Sequence, residues 1–253
     1  MKAMADRLYL SLWYPNFRLE ALPAALVGVM RQFSLIGGKR VGAASAYPIN
    51  FTEPPVYQRI YVDTSTGSAL GHAAQIDPTG ETSDSNIESA VEEATDQLHD
   101  DMAYEFEMRW QLWALEEPSL GSRLDIHTDE DGLEQDPDSN LDQPTFDDPD
   151  TPWKLRTHLV RILGFGPEFD VAGYEQNGHI LVDFGLDTPW ILETLEEEEL
   201  DEEAQLHIQQ NIEKLLAFTL LVEKNCGISS RLLWTESGEP LAEKLIARLQ
   251  RVN

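Results

Sequence analysis

The clearest alternation in the chain runs from Met102 to Trp113, where Met102, Tyr104, Phe106, Met108, Trp110 and Leu112 alternate with Ala103, Glu105, Glu107, Arg109, Gln111 and Trp113. Twelve residues in one phase predict a strand with one buried and one polar face. A second alternation sets Leu8, Leu10 and Leu12 against Tyr9, Ser11 and Trp13 and predicts another half-buried strand. Between them, Leu19, Leu22, Leu26, Met30 and Phe33 recur at helical spacing. Pro23 suits the first turn of that helix and Gly37-Gly38 its end. Strands are expected over Val41 to Tyr47 and Val56 to Asp63, and a helix from Ser85, where Ser85 and Glu88 form a capping-box spacing, to about His99. The resulting order, β-α-β-β-α-β, predicts a ferredoxin-like α+β first half, with helices on one face of an antiparallel sheet.

Beyond residue 152 the pattern is again mixed. Strands are expected at Leu155 to Leu163, at Ile180, Val182 and Phe184, and at Leu232 to Trp234. Thr188-Pro189 reads as a helix start. An acid run, Glu196 to Glu203, precedes a long helix lined by Ile208, Ile212, Leu215, Thr219 and Val222 that ends near Asn225-Cys226-Gly227. A last helix carries Leu241, Leu245, Leu249 and Val252 on one side, with Lys244, Arg248 and Arg251 near its end.

Charge changes this picture by showing where the chain divides. Of the net −28, residues 1–80 contribute 7 bases and 5 acids, residues 81–150 contribute 2 and 23, and residues 151–253 contribute 9 and 18. Within the acidic third, residues 116–152 combine 13 acids and one base with Pro, Gly and Ser breaks and few apolar anchors. Such a stretch cannot bury enough surface to offset its ordering entropy, so a flexible linker or long loop is expected there. Three segments follow: 1–115, the ferredoxin-like half; 116–152, the acidic linker or loop; and 153–253, a second α+β half ending in two helices.

The same charge excludes partners. An excess of 28 negative charges opposes phosphate backbones and anionic headgroups, so neither nucleic acid nor a membrane is an expected partner. No stretch has the length of uncharged apolar residues that a spanning helix needs, and no signal-peptide pattern opens the chain. With Cys226 the single cysteine, a soluble cytoplasmic protein is expected.

Candidate chemistry is sparse. Asp183-Phe184-Gly185 matches the metal-binding triplet of protein kinases but stands without a Gly-rich loop, a paired lysine or a His-Arg-Asp loop, and reads as a strand end. His127, Asp129, Asp131 and Asp138 fall at first, third, fifth and twelfth places of a calcium loop. A histidine at the first place, where an oxygen ligand belongs, and the missing flanking helices make this a weak metal candidate. The scattered histidines offer no zinc pattern, and Cys226 at a helix C-terminus is poorly placed to form a thiolate. No cofactor is implied. Glu168, Asp170, Glu175, Asp183 and Asp187 are close enough in sequence to offer an acid-base pair.

Aromatic and acidic side chains suggest recognition instead. With the leucines of the first strand facing the helices, Tyr9, Trp13, Tyr57, Arg59, Tyr61 and Trp113 would share the opposite sheet face, amid Glu105, Glu107 and Arg109. Aromatic residues and arginine are enriched at protein interfaces, and packing of the second half on that face is the competing explanation. The leading expectation is a non-enzymatic binding or regulatory protein, inhibitor-like or immunity-like, that engages a basic protein partner through these residues and acids such as Asp129, Glu130 and Asp131. The rivals are a carboxylate-based, metal-assisted hydrolase and a structural module of a larger assembly.

Overall fold

A computed structural model describes residues 6–48, 58–62, 82–115, 153–170, 177–186, 189–190 and 202–236. Among these residues seven strands form one sheet: β1 (Arg7–Trp13), β2 (Ala43–Pro48), β3 (Gln58–Val62), β4 (Met102–Leu115), β5 (Trp153–Phe165), β6 (Ile180–Leu186) and β7 (Ser230–Thr235). Their spatial order is β3-β2-β4-β5-β6-β1-β7, and every neighbouring pair is antiparallel. Among the described residues three helices accompany them: α1 (Leu22–Ser34), α2 (Thr82–Ala94) and α3 (Glu202–Asn225). The class is mixed α+β. Among the described residues no helix is long and apolar enough to cross a membrane.

The helices lie on one face of the sheet. α1 sits centrally and packs against α2, α3 and β5, while α2 covers β2 and β3, and α3 covers β4. Beneath them the predicted inward set is buried almost without remainder: Leu8, Leu10 and Leu12 from β1, Tyr104, Phe106, Met108, Trp110 and Leu112 from β4, and Leu22, Leu26, Met30 and Phe33 from α1. Trp110 is the hub, with its ring 5.4 Å from Phe33, 5.4 Å from Phe184 and 5.8 Å from Trp190. Burying such rings supplies much of the apolar area on which a fold of this size depends.

Local signals set the helix ends. A short 3-10 turn, Leu19–Ala21, leads into α1, and Pro23 occupies its first turn, where a missing N–H costs nothing. Gly37 N–H then bonds Phe33 O. α3 stops where Gly227 takes φ +65°, a left-handed conformation that favours glycine. α2 begins at Thr82, three residues before Ser85, so the capping-box spacing does not mark its start, and the helix ends at Ala94 rather than near His99.

The ferredoxin-like closure expected of the first half is not the pairing observed. That arrangement would seat β1 beside another strand of its own half. Instead β1 lies between β6 and β7, and β5 and β6 stand between it and β4. The open-face side chains explain the β7 contact: the Tyr9 and Trp234 rings stack at 4.7 Å, and Trp234 Nε1 donates to Ser11 Oγ at 2.9 Å. Residues on both sides of 116–152 therefore belong to one sheet, with Leu115 directly opposite Trp153.

The β4–β5 hairpin outruns its neighbour. β5 pairs with β6 only from Arg161 to Gly164, yet pairs with β4 all the way to Trp153. The projecting arm is pinned by α3. The Asn211 side chain, almost fully buried, accepts from Trp113 N and donates to both Trp113 O and Pro189 O. The rings of Trp113 and Trp153 close over His207, at 4.0 and 5.4 Å.

Candidate functional site

The sheet face opposite the helices carries a cleft of about 700 Å³, lined by β1, β2, β4, β5 and β6. Strand alternation dictates its contents. Tyr9 is level with Asp183, Asp183 with Arg161, and Arg161 with Glu107, so one transverse row holds four functional side chains. The next row places Ser45, Glu105, Leu163 and Leu181 side by side. Three carboxylates, Glu105, Glu107 and Asp183, meet two guanidiniums, Arg7 and Arg161, over a floor of Tyr9, Tyr47, Leu163 and Leu181.

Most of these groups are already engaged with one another. Arg7 Nη1 bonds Asp183 Oδ2 at 2.9 Å, and Gly185 N–H bonds Asp183 Oδ1 at 2.8 Å. Gly185 takes φ +79°, and the β1–β6 register shifts between Arg7 and Tyr9. The triplet Asp183-Phe184-Gly185 is thus a bulge in a central strand, with the aspartate tying its own turn to β1. Glu105 accepts from Tyr47 OH at 2.9 Å and lies 3.3 Å from Arg161 Nε. Tyr9 OH donates to Glu236 at 2.9 Å. Burial and that carboxylate push the Tyr9 phenol up to about 12, so it stays a neutral donor throughout the physiological range. Its hydrogen bond to Arg7, with the charge of Asp183, raises the guanidinium pKa further.

Both oxygens of Asp183 accept hydrogen bonds, and Glu105 is held by a hydrogen bond from Tyr47 and an ion pair with Arg161, which suits a fixed recognition surface better than a general base awaiting a proton. Among the described residues no cluster of three or more His, Cys, Asp or Glu side chains could hold a metal ion. The described carboxylates of the second half are not gathered in one place. Asp183 lies in the cleft, Glu168 and Asp170 follow β5 beside Asp100, and Glu175 and Asp187 lie outside the described residues. Cys226 sits directly after α3, half buried, and burial pushes its thiol up to about 11. A thiol so protonated is a poor nucleophile.

The predicted aromatic face is divided. Tyr9 is in the cleft, but Leu12, next to Trp13, is level with Tyr104, nine residues along β4 from Trp113, or about 30 Å at strand rise. Trp113 turns to His207 at the far end. Arg59 and Tyr61 are in β3, opposite Ser45 and Ala44, at the sheet edge remote from β1. β5 and β6 stand between β1 and the strands β2, β3 and β4. Tyr57, Asp129, Glu130 and Asp131, with the calcium-loop candidates His127 and Asp138, lie outside the described residues. Arg7, Tyr47 and Arg161 were missed. The signal for Arg161 was present, as the polar position between Val160 and Ile162, but its partners could not be named without the strand order.

No protein-family model, no curated protein and no solved structure matches this chain. The reading of function therefore rests on its own residues.

Proposed function

We propose that this is a non-enzymatic binding or regulatory protein of the cytoplasm that engages a basic protein partner, in the manner of an acidic inhibitor. The observation that carries this reading is charge placement. The chain has a net charge of −28, most of it between residues 81 and 150. β4, from within that block, presents Glu105 and Glu107 on the open face of the sheet beside Asp183. A one-sided field steers a basic partner into encounter and rejects acidic competitors. The cleft supplies what a contact needs once formed: tyrosines, guanidiniums already held in place and apolar floor, the composition favoured at interface centres.

The experiment is affinity purification of the full chain from its native cell at low and at high salt. A basic protein recovered at low salt and shed at high salt is expected. Recovery of no basic protein at low salt rejects the reading.

A further inference from the structure

Beyond the pair Arg161–Asp183 the strands β5 and β6 part. β5 runs on toward Trp153 beside β4, while β6 runs on to Leu186 beside β1. The bulge at Gly185, with φ +79°, bends β6 at this point, and a Cβ built on Gly185 would meet no atom within 4 Å. The gap between the strands is a pocket of about 300 Å³. It shares Arg7, Arg161 and Asp183 with the neighbouring cleft, but Glu105 and Glu107 line the cleft and not the pocket. Two guanidiniums therefore face one carboxylate, a local excess of positive charge in a chain of net −28.

Donors outnumber acceptors on this wall. A guanidinium has five N–H donors, and Arg7 gives one to Asp183 and one to Tyr9. Arg161 Nε stands 3.3 Å from Glu105 Oε1, an ion pair without hydrogen-bond geometry, so its N–H is buried with no acceptor among the described residues. His158 Nε2 is likewise buried without a partner. Burial lowers the pKa of His158, so its ring is neutral at physiological pH and has one N–H to donate. Buried polar groups are nearly always satisfied, and two orphans on one pocket wall call for an acceptor from outside the chain.

The rest of the wall is apolar, from Leu159, Leu186 and Pro189. A small concave site with an apolar lining and a few convergent polar groups is the usual form of an organic ligand site. Guanidiniums match carboxylate geometry, and a single excess positive charge suits a monoanion better than a dianion such as phosphate.

We infer that the pocket between β5 and β6 binds a small organic monocarboxylate, its acid group held by Arg7, Arg161 and His158 and its apolar body against Leu159, Leu186 and Pro189. This site needs no basic protein partner and stands or falls without one.

The test is an NMR titration of the isotope-labelled full chain with hexanoate, phenylacetate and cyclohexanecarboxylate. The corresponding amides and inorganic phosphate are the controls. At least one carboxylate should shift the Gly185 amide and Arg161 Nε–H signals saturably at millimolar concentration, with its amide and phosphate binding at least tenfold more weakly. Arg161→Gln and His158→Phe, each with an otherwise unchanged spectrum, should weaken that carboxylate at least tenfold and threefold respectively. The comparison of acid with amide is made on the unaltered chain, so it holds even if a variant fails to fold. No saturable shift from any of the three carboxylates, equal binding of the amide or of phosphate, or unchanged binding in both folded variants overturns the inference.

Discussion

The two faces of the sheet are built from the same strands, residue by residue in alternation, yet they carry opposite chemistry. On the covered face, Leu10, Phe106, Ile162 and Val182 sit side by side, fully buried beneath helices. One residue away along each strand, Tyr9, Glu107, Arg161 and Asp183 form a charged row on the open face. The covered face has no freedom, since any change leaves a cavity or a clash. The open face has its polar groups paired with one another and with solvent, so it can change in charge while the fold persists. The contrast separates what holds the protein together from what it presents.

The largest effect should come from the covered face. Trp110→Ala removes the ring shared by Phe33, Phe184 and Trp190, and should cost about 3–5 kcal/mol in urea unfolding. Trp110→Phe should cost clearly less, because it keeps most of the ring and removes a buried indole N–H that has no partner. If both substitutions cost under 1 kcal/mol, the hub lies elsewhere.

Asp183 sits at the border between the faces, nearly buried but facing the cleft. Asp183→Ala strips Arg7 and the Gly185 N–H of their acceptor. Arg7 is 44% exposed and water can replace part of the loss, so about 1–2 kcal/mol is expected by denaturant titration. An unchanged midpoint would mean the bulge at Gly185 holds without it.

Acid should act through histidine. Burial lowers the pKa of His179, and its Nδ1 accepts the Tyr14 N–H at 3.0 Å. The unfolded chain therefore takes up a proton first. The stabilisation is fully present above the ordinary value of 6.5 and is lost as pH falls below it toward the folded pKa. His158, lowered by the same cause, adds in the same direction. A fall in melting temperature between pH 7 and pH 5 that is smaller in His179→Gln is expected. A fall of equal size in the variant removes His179 from the account.

Much of the covered face was legible in the sequence, because burial on a strand or helix writes a local period. Leu8, Leu10 and Leu12, the twelve-residue alternation of β4, Pro23 and Gly227 each marked their elements. The open face was not. Its membership depends on which strands are neighbours, and pairings such as Tyr9 with Asp183, 174 residues apart, leave no local trace. β5 shows a further limit. Its burial alternates from His158 onward but not over Leu155 to Thr157, where the hairpin arm has left the sheet and both sides of the strand are exposed. The acidic stretch 116–152 stood out by composition, but composition could not reveal that it connects two residues paired across a ladder.

The smallest stability effect should come from the open face. Glu105→Gln and Glu107→Gln should each change stability by about 1 kcal/mol or less, since both are only partly buried and ion pairs open to solvent contribute little. Glu105→Gln is the more costly of the two because Arg161 and Tyr47 depend on it.

Those quiet substitutions make the decisive comparison possible. The full chain and a variant carrying Glu105→Gln, Glu107→Gln and the neutralised acids of 125–150 would be used side by side in affinity purification from the native cell at low salt. The account predicts that the native chain retains a basic protein which the equally folded variant does not. Retention of the same protein by both, or of no basic protein by either, would contradict it.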